Sequence, residues 1–226
     1  MKLSSVDSRL QNALDLLRDH APLYGELSEL SIRRLPCDGS SIQWTRKENC
    51  LTLQADSISD ALFLLGRALT MPHEHAERLT PRFSRLAAMV DLSRNSVYTL
   101  KIMKRFLCQL ALMGFNTAYL YMEDTYELPG YPYFGYRRGR YSVSEQKELD
   151  DFADALGIEL VPCIQTLAHI QGFVYANHLI EFMSQRGHQY QNGHCGNKTF
   201  DKMQNTAEHM LHTVIPVGLF VHTLLQ

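Results

Sequence analysis

The sequence predicts an α/β protein: a small α/β unit, then consecutive βα repeats of a parallel sheet. Three segments carry that expectation. Residues 89–95 (MVDLSRN), 119–126 (YLYMEDTY) and 160–169 (LVPCIQTLAH) are each an apolar run ending in hydrogen-bonding residues. A segment of helical periodicity separates each from the next, the pattern of a parallel sheet with its chemistry at the carboxyl ends of the strands. Ends in Asp/Arg, Glu/Asp and Gln/His describe a polar mouth.

Taken in order, Leu10, Leu14, Leu16 and Leu17 make a helical stripe. Residues 29–35 and 42–45 read as short strands joined by the turn-forming 37–41 (CDGSS), and 50–55 as a third strand. Residues 57–69 read as a helix with Ser57 as N-cap, Asp60 three residues on, and an apolar face of Ala61, Leu62, Leu65 and Leu69. Residues 71–75 (MPHEH) read as a polar linker that closes this unit, so the domains are expected at 1–80 and from 81 onward. In the second unit, 84–90 is the first strand. A helix over 99–113 comes next, with Leu100, Met103, Phe106, Leu107 and Leu110 on its buried side and Gly114 as its terminator. Residues 117–122 form the second strand, 144–156 a helix capped by Ser144 and stopped by Gly157, and 158–164 the third strand. The order β-α-β-α-β requires right-handed crossovers.

Composition excludes several classes. A net charge of −2 gives no basic field for nucleic acid or an anionic membrane. No run of about 18 apolar residues predicts a spanning helix, and the amino-terminal residues lack a signal-peptide core. Five scattered Cys residues with no C-x-x-C pair fit thiols kept reduced in a cytoplasm. The expectation is a soluble, cytoplasmic protein without a cofactor. His73-Glu74-His75 and the pair His209/His212 have metal-like spacing, but neither brings the further ligands of a zinc site, so no metal is expected.

On three strings, MVDLSRN, LALMGFNTAYLYMEDTYELPGYPYFGYRRGRYS and KELDDFADALGIELVPCIQTLAHI, residues 82–170 resemble the catalytic barrel of glycoside hydrolase family 20, the β-N-acetylhexosaminidases. The span 82–170 is about two-fifths of the chain. The resemblance implies that 81–170 supply the first half of a (β/α)8 TIM barrel and that the partner is a carbohydrate with a terminal N-acetylhexosamine. It implies substrate-binding roles for Arg94 after the first strand, Glu123 and Asp124 after the second, and His169 after the third. A guanidinium offers fixed donors to adjacent sugar hydroxyls; an ion pair with Asp91 or Glu123 is the competing role for Arg94. The loop 130–141 sets Tyr131, Tyr133, Phe134, Tyr136 and Tyr141 among Arg137, Arg138 and Arg140. It suits the rim of a glycan cleft, and aromatic plus basic residues also suit single-stranded nucleic acid; packing on its own barrel is the plain alternative.

The resemblance ends near Ile170. Family chemistry is substrate-assisted and uses an adjacent Asp-Glu pair after the fourth strand, unlike the two-carboxylate scheme of most glycosidases. No Asp-Glu dipeptide occurs in the 226 residues, and no acid follows Glu208. Where a fourth strand is shaped, residues 214–222, Leu219, Phe220 and Val221 stand in place of acids. Residues 171–226 hold six of the ten His and read as a diverged tail. The expectation is a hexosaminidase fragment that hydrolyses little or nothing. The alternatives are a non-catalytic glycan-binding protein and an inert pseudogene product. A sheet of about four strands cannot close, so self-association is also expected unless residues 171–226 fold back as a lid.

Overall fold

A computed structural model describes residues 7–21, 31–37, 40–48, 50–71, 75–94, 96–135 and 138–164. The helix α1 (Ser8–His20) starts where Asp7 accepts hydrogen bonds from the amides of Arg9 and Leu10, at 2.9 and 3.4 Å. It buries Leu10, Ala13, Leu14 and Leu17, while Leu16 sits half-buried at the margin of the predicted stripe. The strands β1 (Ser31–Leu35), β2 (Ile42–Lys47) and β3 (Cys50–Gln54) come next. The helix α2 (Ile58–Thr70) begins at the predicted cap, Ser57, whose Oγ accepts from the Asp60 amide at 3.0 Å.

The sheet has one strand more than the sequence reading gave it. β4 (Ala76–Leu79) pairs antiparallel with β2, and the strand order is β1-β3-β2-β4. β1 runs parallel to β3, and β2 antiparallel to it. Glu77 on β4 fixes the new edge. It accepts from Trp44 Nε1 at 3.1 Å and from Arg67 Nε and Nη2 at 3.2 and 2.8 Å. Trp44 is fully buried under α2 with Leu51, Leu53, Leu62 and Leu65.

A second sheet has the order β5 (Ala87–Asp91), β6 (Thr117–Tyr121), β7 (Glu159–Cys163). Its strands are parallel, because like ends meet. At the amino ends Thr117 donates to the Leu86 carbonyl and Glu159 to the Asn116 carbonyl; at the carboxyl ends Leu92 donates to Tyr121 and Met122 to Cys163. The crossovers are α3 (Leu100–Leu112) and α4 (Val143–Ala155). α3 buries Met103, Leu107, Cys108 and Leu110; Leu100 and Phe106, assigned to the buried side, are only half-buried. Gly114 (φ +88°) and Gly157 (φ +73°) end the two helices, as expected.

The cap of α4 is corrected. Ser142, not Ser144, is the cap: its Oγ accepts from the Glu145 amide at 3.2 Å, and Glu145 Oε2 accepts from the Ser142 amide at 2.8 Å. This is a reciprocal capping box.

By contact the chain falls into two units. One takes residues 1–90, 98–119 and 148–161; the other includes 91–97 and 120–147, the carboxyl ends of β5 and β6 with their loops. Among the described residues no helix is long and apolar enough to cross a membrane, and no group of three or more His, Cys, Asp or Glu could hold a metal ion. Of the two His pairs only His75 is described, so the His73–His75 and His209/His212 readings lie outside the described residues.

Candidate functional site at the carboxyl ends of the strands

The second unit gathers the segments that leave the carboxyl ends of β5 and β6. Asp91 closes β5 and turns the chain: its Oδ1 accepts from the Ser93 amide at 2.9 Å and the Ser93 hydroxyl at 2.8 Å. Arg94 Nε then lies 3.3 Å from Asp91 Oδ2, with the arginine side chain 74% exposed. Desolvation pushes the Asp91 carboxyl up, but the Ser93 hydrogen bonds and the Arg94 charge outweigh it and hold it below its usual range. The Arg94–Asp91 ion pair, one of the two roles open to this arginine, is thus formed. It is solvated and weak, so the guanidinium keeps donors for a ligand.

β6 alternates. Ala118, Leu120 and Met122 are buried, and Tyr119 and Tyr121 are half-buried. At its end Glu123 adopts φ +51°. Desolvation raises the Tyr121 hydroxyl above its usual range, helped by the charge of Glu123 and by a hydrogen bond to it, with smaller effects from Arg94 and Asp91. The ends of β5 and β6 are neighbours: the Leu92 amide donates to the Tyr121 carbonyl at 2.9 Å. Tyr121 and Asp91 are functional candidates that the sequence reading left out of its site, although both stand at strand ends.

Asp124 is only 9% exposed. Its Oδ1 accepts from Arg138 Nη1 at 2.6 Å, while the same nitrogen stands 3.8 Å from Glu123 Oε2. The loop that carries Arg138 packs mainly on itself. Phe134 and Tyr141 are buried, Phe134 meets Tyr126 edge-on at 5.0 Å, and Arg140 donates to the Phe134 carbonyl. For Phe134 and Tyr141 the rim expectation therefore gives way to packing. Burial and the Asp124 charge push the Tyr126 hydroxyl up to about 12. Tyr131 and Tyr133 are half-buried; Tyr136, Arg137, Gln165, Thr166 and His169 lie outside the described residues.

The first unit holds a cavity of about 560 Å³, lined in part by Phe63, Phe83, Leu86, Met113, Asp60 and Arg82. None of the sequence-predicted site residues lines it.

The fold is that of the glycoside hydrolase family 20 barrels, as far as the chain extends along them. Among solved structures it is similar to the Vibrio harveyi exo-β-N-acetylglucosaminidase in complex with N-acetylglucosamine, at 17% identity and TM-score 0.61, covering 78% of this chain and 35% of that one. It is equally similar to the Streptomyces plicatus N-acetyl-β-hexosaminidase in complex with Thio-NAglucal, at 16% identity and TM-score 0.62, covering 77% and 43%. A further family 20 β-N-acetylglucosaminidase matches at 17% identity and TM-score 0.59, covering 79% and 41%. The chain thus spans about two-fifths of the length of these enzymes. No protein-family model matches the sequence, and no curated protein does.

Proposed function

We propose that this chain carries the sugar-binding strand ends of a family 20 β-N-acetylhexosaminidase site, and that it binds a terminal N-acetylhexosamine without hydrolysing it appreciably. Residues 1–80 form the accessory α/β module, 81–170 the opening βα units of the barrel, and 171–226 a diverged tail. Of the expected set Arg94, Glu123, Asp124 and His169, Arg94, Glu123 and His169 meet the sugar and Asp124 supports them through its ion pair with Arg138; Tyr121 is added as a neighbour of Glu123. The observation that carries this reading is that the Asp91–Arg94 ion pair and the left-handed Glu123 stand at the carboxyl ends of two adjacent parallel strands. Barrel sites are built from such ends, and hydroxyl-rich ligands require clustered donors and acceptors of this kind.

Lack of turnover is a consequence of composition. A general acid is worth about 10²–10⁴-fold and orientation of the internal nucleophile adds more, yet the 226 residues hold no Asp-Glu dipeptide to supply either. Localisation in the cytoplasm and independence of metal and cofactor belong to the same proposal. Calorimetric titration with N-acetylglucosamine tests it: saturable binding that weakens at least about tenfold in Arg94→Ala is expected. Absence of binding, or hydrolysis of a chromogenic N-acetylglucosaminide that a family inhibitor abolishes, would contradict it.

A further inference from the structure

We propose that Arg138 is a positioning residue: through its ion pair with Asp124 it seats the loop between β6 and α4, leaving Glu123 as the carboxylate that meets the sugar. The assignment of Glu123 rests on the sugar-binding reading above; the seating of the loop does not.

Two different contacts from one loop converge on Asp124. Arg138 takes the carboxylate, at the 2.6 Å of a charge-assisted hydrogen bond. Gly135 takes the main chain: at φ +66°, an added Cβ would lie 2.2 Å from the Asp124 carbonyl oxygen, so only glycine lets the loop come so close. Between them, the Arg138 amide donates to the Gly135 carbonyl at 3.1 Å, which fixes one contact relative to the other. The loop is closed at its base as well. Tyr141 donates to the Thr125 carbonyl at 3.1 Å, and Glu127 donates to the Tyr141 carbonyl at 2.8 Å. A buried carboxylate is tolerated only when paired. Removing either charge of this pair therefore releases the middle of the loop while its base stays joined.

The neighbouring acid is built differently. Glu123 Oε2 makes a longer ion pair with Arg138 Nη1, at 3.8 Å against 2.6 Å for Asp124. It holds a left-handed backbone conformation that a non-glycine residue adopts only at a cost, the kind of local strain that persists where a side chain must be aimed. A hydrogen bond links it to the Tyr121 hydroxyl, which its charge also raises. Asp124 is buried and gives one carboxylate oxygen to Arg138, so it is the less accessible of the two acids to a ligand. The two acids are adjacent in sequence yet divide the work: one holds the loop, the other serves the mouth.

Residue-resolved hydrogen exchange on the full chain tests the latch. In Arg138→Ala and Asp124→Asn the amides of 127–141 should exchange at least about tenfold faster, those of α1 and α3 should be unchanged, and Arg138→Lys should restore part of the protection. Unchanged loop exchange in Arg138→Ala would overturn the latch. Titration with N-acetylglucosamine tests the assignment. Glu123→Gln should leave exchange untouched and weaken binding about tenfold, the worth of a hydrogen bond to a charged group; wild-type affinity in that variant would overturn it. If the unmodified chain binds no sugar while Arg138→Ala still loosens the loop, the sugar-binding reading and the role of Glu123 fall together and the latch stands.

Discussion

Gly66 stands in the middle of α2, where glycine is less favourable than alanine by about 1 kcal/mol. Packing explains it: an added Cβ would lie 2.1 Å from the Leu112 carbonyl oxygen at the end of α3. Gly66→Ala should therefore lower the melting temperature, by the roughly 1–3 kcal/mol typical of overpacking; a higher melting temperature would mean that propensity outweighs contact here. Burial also silences a nucleophile. The Cys108 thiol is pushed up to about 12, whereas Cys50 is exposed. Alkylation at pH 8 followed by peptide mass analysis should label Cys50 quickly and Cys108 only after denaturation. At this scale the sequence revealed residue types more readily than partners. Arg94 with Asp91 was foreseeable, three residues apart. Arg138 with Asp124, across fourteen residues of loop, was not, because loop closure rather than periodicity brings them together.

The α4 cap shows information present in the sequence but misread. Ser142 has a Glu three residues on, whereas Ser144 has Lys147, so the S-x-x-E pattern pointed to Ser142. Ser142→Ala should cost about 1 kcal/mol in chemical denaturation and Ser144→Ala far less. β4 was less legible. Four residues, AERL, offer too short an alternation, and their strand character depends on the distant Trp44 and Arg67. The Arg67 hydrogen bond, then that of Trp44, holds the Glu77 carboxyl below its usual range. A carboxyl depressed in the folded state stabilises above its unfolded value, and that stability is lost as pH falls through the folded one. Glu77→Gln should thus destabilise by about 1 kcal/mol at pH 7, kept modest by the solvent exposure of Arg67. The difference should fade below about pH 4; one that persisted there would mean the amide loses packing rather than charge.

The parallel order of β5, β6 and β7 was legible because each strand ends in polar residues and each crossover helix has a clear apolar side. Among the described residues β5 and β7 border their sheet, and Met89 is exposed on β5. Exposed apolar surface beside open edges drives association, so sedimentation at micromolar concentration should find oligomers; a cooperatively melting monomer would show that surface to be covered. The sugar-binding mouth itself is tested most directly by mapping amide chemical-shift changes as N-acetylglucosamine is added. Saturable shifts confined to residues 91–97, 120–127 and the neighbourhood of His169, and lost in Arg94→Ala, are predicted. No shifts, or shifts centred on the cavity lined by Phe63, Phe83 and Met113, would contradict the assignment of the site to the strand ends.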